Sequence, residues 1–254
     1  QNVTINLPQA AYRAGRKNIE GTIKEIYKVM GLVIKAHKQK AKFIKKIMLV
    51  PGSPMWQVGK VAHDNRPYID LDREDTSYIV GMLGLNECVK FLIGQELHES
   101  KEAYKLGLKI ISAMSLKTAE YEKELGWNIK LEETPAESAS LRLAKVDLKH
   151  FEEARYIIRG DKKSGNIYYT NSIHFSPNAP IDIIERIVGQ GRFHSMIESG
   201  AITHVFVGEK RPSPESIFKL VKKTWENTQT AQITISPEFT FCSDCHKVSP
   251  GYGR

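Results

Sequence analysis

The chain has 254 residues, of which 41% are hydrophobic and 26% charged, and it carries a net charge of +8 at neutral pH. This composition is ordinary for a globular protein and excludes a disordered or fibrous chain. No run of about 18 apolar residues occurs, and residues 1–16 lack the basic start and apolar core of a secretory signal. We therefore expect a cytoplasmic protein with no membrane partner.

Short β-like runs alternate with helical patterns along the chain. The predicted strands are 3–7, 78–82, 127–131, 167–170, 204–207 and 233–235. The predicted helices are 18–48, 86–95, 100–125, 135–151, 180–188 and 213–226. This alternation indicates an α/β fold with a largely parallel sheet or barrel, in which functional groups gather where strands end and helices begin. We expect one domain over residues 1–238 and a small appendage over residues 239–254.

The first long helical pattern is strongly basic. Eight lysines and one glutamate lie between Lys24 and Met48. A basic surface of this kind is typical of phosphate or nucleic-acid binding. The other interpretation is the solvated face of an amphipathic helix, because apolar residues recur there at helical spacing. A basic, zinc-ribbon-like module that binds nucleic acid is the alternative function.

The segment Thr134-Pro135-Ala136-Glu137 is typical of a helix N-terminus. Thr134 is predicted to cap the helix, and Pro135 suits the first helical position. Glu137 would then lie at the third position and accept a hydrogen bond from the Thr134 N–H, as in a capping box. On this interpretation Glu137 needs no catalytic role.

A second polar cluster follows the predicted strand at 167–170. Thr170, Asn171, Ser172 and His174 lie where that strand ends. Small polar groups at the carboxyl end of a strand are suited to hydrogen-bond a substrate. The structural alternative is a turn held by the Asn and Ser side chains.

The chain has three cysteines, Cys88, Cys242 and Cys245. An odd count without a signal peptide indicates a reducing compartment. Cys242 and Cys245 have the spacing of half a tetrahedral zinc site. The same residues with His246 also match a redox pair or a haem-attachment motif, or they are inert. Cys88 lies in a helical pattern, where a buried and unreactive thiol is the default.

Several segments, taken in order, resemble a known family. That family is the anaerobic, class III ribonucleoside-triphosphate reductases, which are oxygen-sensitive glycyl-radical enzymes, and the resemblance is to their C-terminal part. The segments that carry it are VTINLPQAAYRAG, SYIVGMLGLNECVKFLIGQELHE, LEETPAESASLRLAKVD, YYTNSIHFSPNAPIDIIERI, GAITHVFVGE and CSDC.

The resemblance implies a ten-stranded α/β barrel of two half-barrels, with a finger loop through its centre. A radical S-adenosylmethionine activase with an iron–sulfur cluster would install the glycyl radical. The radical would pass to a finger-loop cysteine, whose thiyl starts the conversion of ribonucleoside triphosphates into 2′-deoxyribonucleoside triphosphates for DNA synthesis. The reductant, formate or a thiol protein, is left open. Family members are typically homodimers controlled by nucleotide effectors such as ATP and dNTPs.

The resemblance also assigns site residues in this chain. Glu137 maps onto a carboxylate that faces the substrate ribose, where taking the 3′-OH proton would make the 2′-hydroxyl a better leaving group. The helix start beside it could hold the triphosphate. The residues expected to bind substrate are Thr134, Ala136, Ser138, Asn171, Ser172 and His174.

The chain departs from the family pattern at both ends. The finger-loop cysteine would lie upstream of Gln1, and only one of two expected cysteine pairs occurs. We do not assign Gly251 or Gly253 as the radical glycine. The expectation is therefore the second half of the barrel with half a zinc site, from a fragment, a split gene or a relic. Such a chain would be inactive without the N-terminal half of the reductase.

Overall fold

The computed structural model describes residues 2–56, 76–208 and 210–250, and within these the side chains of Glu137 and Pro250 are not described. The helices are α1 (Leu7–Ala14), α2 (Ile19–Met48), α3 (Leu85–Ile93), α4 (Lys101–Leu125), α5 (Glu137–His150), α6 (Ala154–Ile157), α7 (Ile183–His194) and α8 (Pro214–Asn227). The strands are β1 (Asn2–Asn6), β2 (Ser77–Leu83), β3 (Asn128–Glu133), β4 (Arg159–Asp161), β5 (Asn166–Tyr168), β6 (Thr203–Gly208), β7 (Ile233–Pro237), β8 (Phe239–Phe241) and β9 (Val248–Pro250).

The largest sheet contains β1, β2 and β3 in that order, all parallel. One face of this sheet packs on the helices through residues such as Ile5, Val80 and Leu131, which are at most 2% exposed. Parallel pairing also brings the carboxyl ends of the three strands to one edge. Asn6 at the end of β1 lies opposite Leu83 of β2, and Glu133 at the end of β3 lies opposite Met82, the preceding residue of β2. The predicted α/β fold is confirmed, with the polar ends of the strands on one side.

The opposite face of this sheet is polar around Gly81. The Asn2 side chain donates to Glu132 Oε1 at 3.2 Å and to Thr134 Oγ1 at 3.4 Å. A β-carbon at Gly81 would collide with the Thr134 hydroxyl and crowd Asn2 and Thr4. Glycine in the middle of β2 is therefore required by the close approach of Thr134, which follows β3.

Helix α2 is amphipathic. Ile26, Met30, Val33 and Ile34 are buried in the core, whereas Lys24, Lys28 and the other described lysines along the helix are exposed or partly exposed. The basic run is thus the outer face of a helix whose apolar stripe packs on the sheet. No described helix is both long enough and apolar enough to cross a membrane.

The other strands form two-stranded sheets: β4 with β5 and β8 with β9 are antiparallel, and β6 with β7 is parallel. The hairpin of β4 and β5 was not predicted as such, since the sequence indicated one strand at 167–170. Its turn includes Gly165 with φ of 73°, which glycine adopts readily. Residues 199–200, just before β6, are hydrogen-bonded to β3. The Glu133 N–H donates to Gly200 O at 2.9 Å, and the Ser199 N–H donates to Leu131 O at 3.0 Å.

Candidate functional site

Helix α5 begins two residues later than the capping pattern predicts. Ala136, not Thr134, precedes the first helical residue, and no side chain caps the helix there. The predicted capping box is therefore wrong, because the Thr134 N–H is already bonded, donating to Ser172 Oγ at 2.9 Å. Glu137 is the first residue of α5, and its side chain lies outside what the structure describes.

Asn171 and Ser172 hold the turn that precedes α5. Asn171 Oδ1 accepts from the Ala136 N–H at 3.3 Å, and the Ser172 hydroxyl lies 3.2 Å from Thr134 O. Ser172 has a positive φ of 40°, and its carbonyl accepts from the Leu85 N–H at 3.1 Å. The side chains of Asn171 and Ser172 thus hold the segment after β3, and the Ser172 carbonyl links it to the segment after β2. The structural interpretation of the polar cluster holds, and a contact with substrate stays a prediction.

The predicted substrate-binding residues gather on one side of this turn. Thr134 is partly buried, Ala136 is buried, and Ser138 in the first turn of α5 is exposed. The first N–H groups of a helix have no partner within the helix, and its dipole makes that end positive. The start of α5 is therefore suited to an anion, with the Ser138 hydroxyl at its surface.

A cavity of about 470 Å³ lies beside this turn. It is bounded by α5, the loop after β5, α7 and β6. Its lining is mainly aromatic and polar, and one lining residue is a permanent cation. The lining residues are Ser140, Tyr168, Tyr169, Thr170, Asn171, His174, Phe175, Pro177, Arg186, His204 and Phe206. Two predicted substrate residues, Asn171 and His174, are among them.

His174 separates this cavity from a buried carboxyl group. Its Nε2 lies 3.5 Å from Glu133 Oε2, and its Nδ1 lies 2.9 Å from Gln190 Nε2. On the other side of the carboxyl group, Glu133 Oε1 lies 3.5 Å from His194 Nε2. Both ring nitrogens of His174 thus face protein groups, so a substrate in the cavity would meet its ring face or carbon edge.

Burial keeps this cluster uncharged near neutral pH. It raises the pKa of Glu133 to about 8, although the Ile202 N–H, which donates to Oε2 at 3.1 Å, opposes the shift. Burial also lowers the pKa of His174 to about 3, helped by the positive charge that His204 and nearby groups would carry. The pKa of His194 is lowered to about 4 by burial. A desolvated carboxyl group and two neutral imidazoles therefore lie behind the cavity wall.

A buried ionic network fixes the strand end that carries Thr170. Glu87, which is fully buried, accepts from the Thr170 N–H at 2.9 Å and from the Thr170 hydroxyl at 2.6 Å. Arg159 donates to Glu87 at 2.6 Å and also to Glu96. Lys90 and Glu96 pair at 2.8 Å, and together with Arg159 this lowers the pKa of Glu96 to about 2 against the effect of burial. The network holds the cavity wall next to Asn171.

A second buried group of polar side chains supports the same wall from behind. Tyr169 donates to Asp147 Oδ2 at 2.8 Å, and its hydroxyl lies 3.1 Å from that of Tyr12. The amides of Asn6 and Gln9 also donate to Asp147. The end of β1 is thus connected to Tyr169, whose side chain is 1% exposed although its residue borders the cavity.

Cys242 and Cys245 lie in the turn between β8 and β9. Backbone N–H groups of Cys245 and Asp244 point at the Cys242 sulfur and lower its pKa, which favours the thiolate that metals bind. No group of three or more His, Cys, Asp or Glu side chains suited to a metal occurs among the described residues. Zinc binding by Cys242 and Cys245 stays a prediction. Cys88 is fully buried, and burial raises the pKa of its thiol.

Several residues of this site lie outside the sequence motifs. Glu133 alternates with the buried Ile129 and Leu131 on β3, so its position on the covered face was detectable from the strand period. Arg186 and His204 carried no such signal. They come from α7 and β6, and only the tertiary fold brings them to the cavity.

Comparison with known proteins identifies relatives along the whole chain. A sequence profile of the family described as anaerobic ribonucleoside-triphosphate reductase matches residues 1–253. The anaerobic ribonucleoside-triphosphate reductase of Enterobacteria phage T4 is 22% identical over 261 residues, covering 98% of this chain and 40% of that protein. That of Salmonella typhimurium is 24% identical over 151 residues, covering 59% of this chain and 20% of that protein. The chain thus spans well under half the length of these relatives.

Solved structures give the same result for the fold. The anaerobic ribonucleotide reductase from Thermotoga maritima in complex with dATP and CTP superposes with a TM-score of 0.73 at 20% identity, covering 99% of this chain and 38% of that one. The same protein with MES in the active site also gives 0.73 and covers 39% of that chain. At this identity the likeness shows a shared fold.

Proposed function

The chain belongs to the anaerobic ribonucleoside-triphosphate reductase family, and from that premise we propose that it forms part of an enzyme that reduces ribonucleoside triphosphates to their 2′-deoxy forms. The observation that carries the proposal is the family match over residues 1–253. The cavity beside the start of α5 supports it, because that cavity has polar and aromatic walls and borders Asn171, which bonds the turn after the parallel strand β3.

The proposed substrate site is the start of α5 together with this cavity. Glu137 would take the proton of the 3′-hydroxyl, which helps the neighbouring 2′-hydroxyl leave as water. The first turn of α5, with Ser138, would hold phosphate oxygens. Asn171 and Ser172 support this role by fixing the backbone before Glu137 at 2.9 to 3.3 Å. His174 would contact the sugar through its ring.

The rest of the enzyme belongs to the same proposal. We propose that this chain supplies one half of an α/β barrel, residues 1–238, and that the complete enzyme is a homodimer. A partner activase would install a glycyl radical, which supplies the hydrogen-abstracting chemistry. Nucleotide effectors are supported by the Thermotoga maritima protein, whose structure is in complex with dATP and CTP.

Zinc is proposed at the turn between β8 and β9, in the expected appendage of residues 239–254. Cys242 and Cys245 would provide two thiolates, and the N–H groups aimed at Cys242 support the ionised form. Tetrahedral zinc needs two further ligands, which the described residues do not place beside them.

Nucleic-acid binding is not favoured as an alternative. The family match accounts for the whole chain, and the lysines of α2 form the outer face of a helix packed on the sheet. The basic charge therefore needs no separate function.

The decisive experiment is Glu137→Gln in the complete reductase that contains this chain. Loss of general acid–base help should lower turnover by about 10²- to 10⁴-fold. Glu153→Gln is the control, since Glu153 lies at the start of another helix, immediately before α6, is exposed and caps nothing. Near-normal turnover of Glu137→Gln would remove the catalytic role, and a wild-type enzyme that reduces no ribonucleotide would remove the proposed function.

A further inference from the structure

Arg186 differs from Arg159, which is also partly buried, in having no carboxylate partner among the described side chains. Arg159 is paired with Glu87 and Glu96. Among the described residues, no carboxylate oxygen lies within 4.0 Å of the Arg186 guanidinium, although this side chain is partly buried on α7. Desolvation lowers its pKa, and no opposing charge offsets this. A partly desolvated cation without a counter-ion is costly unless an anion binds it.

Two carbonyl groups fix the orientation of this guanidinium. Nη1 donates to Phe175 O at 3.3 Å and Nη2 to Ser176 O at 2.9 Å. An arginine has five N–H donors in a planar fork, so about three have no protein acceptor in the part of the chain that the structure describes. The side chain is thus held in place while donors suited to an oxyanion are left over.

The surroundings of Arg186 select for negative charge. Arg186 lines the cavity of about 470 Å³, and among the side chains that the structure describes no aspartate or glutamate lines it. His174 and His204, which also line it, are neutral or positive in every protonation state. The nearest carboxyl group behind the wall, Glu133, has a pKa raised to about 8 by burial and adds little negative charge at neutral pH.

Aromatic side chains also line this cavity. The His204 and Phe206 rings lie within 14° of parallel with centroids 6.0 Å apart, and Phe206 is 54% exposed. Tyr168 and Phe175 also line the cavity. Aromatic faces of this kind stack on planar rings such as nucleobases.

We propose that the cavity is a nucleotide subsite in which Arg186 binds a phosphate oxyanion and the His204–Phe206 surface contacts the base. This inference rests on the proposed function and assigns Arg186 to substrate binding. The shared chemistry is a phosphate chain, whether it belongs to a nucleotide or is free.

The test uses the full chain and calorimetric titration with CTP, cytidine and inorganic tripolyphosphate. Arg186→Gln should weaken CTP and tripolyphosphate binding by about 10- to 100-fold, the worth of hydrogen bonds to a charged group, and leave cytidine binding unchanged. Arg186→Lys should bind CTP and tripolyphosphate with an affinity between those of the wild type and Arg186→Gln, because it keeps the charge and loses the planar fork of donors. Arg155→Gln is the matched control, since Arg155 is 54% exposed and pairs with Glu152 outside the cavity.

A second variant guards against a simple folding defect. Phe206→Ala removes an exposed ring, so it should weaken cytidine and CTP binding while tripolyphosphate binding stays at the wild-type level. If Arg186→Gln binds CTP and tripolyphosphate normally, or loses cytidine equally, the oxyanion role is wrong. Wild-type protein that binds neither CTP nor tripolyphosphate would also overturn it.

The subsite and the proposed function fail in different ways. Normal CTP affinity in Arg186→Gln with normal turnover of the complete reductase would remove the subsite and keep the function. Selective loss of phosphate affinity in a protein that turns over no ribonucleotide would keep the subsite and remove the function.

Discussion

Two regions of the molecule differ in how they use apolar residues. The sheet region comprises residues 2–56 and 76–201, and the C-terminal region comprises residues 202–208 and 210–250. The sheet region buries nearly every large apolar side chain of its strands, and Tyr78, Leu83 and Phe91 are at most 2% exposed. In the described C-terminal region Val205 is the one buried hydrophobic residue, whereas Trp225 of α8 is 80% exposed. The sheet region is therefore stabilised by its own core, and the C-terminal region mainly by backbone pairing.

The two regions also treat charge differently. The sheet region buries Glu87 in a network with Arg159 and Thr170, where each partner is fixed. The ion pairs of α8 are exposed, as in the 2.7 Å contact between Lys219 and Glu215. Buried pairs are costly to break and exposed pairs contribute little. The candidate site therefore depends on the sheet region for rigidity, while α7 of that region and β6 of the C-terminal region supply residues to its open side.

The largest effect is expected from truncating a core ring. Phe91 packs edge-on against Tyr12 at 4.9 Å between ring centroids. Phe91→Ala should lower the free energy of unfolding by about 3–5 kcal/mol, because it removes a buried ring and leaves a cavity. Trp225→Ala is the matched change in the C-terminal region and should alter stability by less than about 0.5 kcal/mol. Urea unfolding would measure both, and equal losses would end the distinction between the regions.

The next effect concerns buried charge. Glu87→Gln should cost about 3 kcal/mol, because Arg159 loses a buried partner and the bonds to Thr170 weaken. Glu215→Gln, on exposed α8, should cost about 0.3–0.5 kcal/mol. The same urea experiment distinguishes them. A small loss in Glu87→Gln would mean that Glu96 alone is enough to fix Arg159.

Much of the fold followed from the sequence. Alternating strand and helix periods predicted the parallel sheet, and the helical pattern predicted at 213–226 corresponds to α8, Pro214–Asn227. The start of α5 was predicted wrongly, because the same Thr-Pro pattern suits a cap or an irregular turn. Side chains 35 to 38 residues away, Asn171 and Ser172, decided the outcome. Local patterns do not contain such long-range hydrogen bonds.

The site was predictable only in part for the same reason. Asn171 and His174 were identified from their place at the end of a strand, and both line the cavity. Arg186 and His204 lie on separate elements of ordinary composition, so their convergence depends on tertiary packing. The strand period predicts that Glu133 faces the core. It does not predict the contact with His194, because α7 lies about 60 residues further along the chain.

A further prediction uses acid. Burial lowers the pKa of His37 to about 4, although its bond to Ile79 O opposes the shift, and it lowers those of His174 and His194 to about 3 and 4. In the unfolded chain each of these histidines has the ordinary pKa of about 6.5, so the unfolded state binds protons more readily than the folded state. Their contribution to the free energy of unfolding is therefore present above about pH 6.5 and is lost as pH falls toward 4. The melting temperature should therefore drop over this range. His37→Gln should make the melting temperature less dependent on pH between 6.5 and 4. His246→Gln, on the exposed turn, is the control and should leave this dependence unchanged.

The smallest expected effect reverses this sign at the wall of the cavity. Burial raises the pKa of Glu133 to about 8, above the ordinary value of 4.5, so its contribution to stability is complete below about pH 4.5 and is lost as pH rises through 8. Glu133→Gln keeps the shape without the charge and should melt a few degrees above wild type at pH 9 and close to it at pH 5. Glu132→Gln, one residue away on the opposite face and bonded to Asn2 and Ser199, is the control and should show no such crossover. If Glu133→Gln melts lower than wild type at pH 9, the carboxylate is ionised and stabilised by His174 and His194, and the cluster behind the cavity is an ion pair.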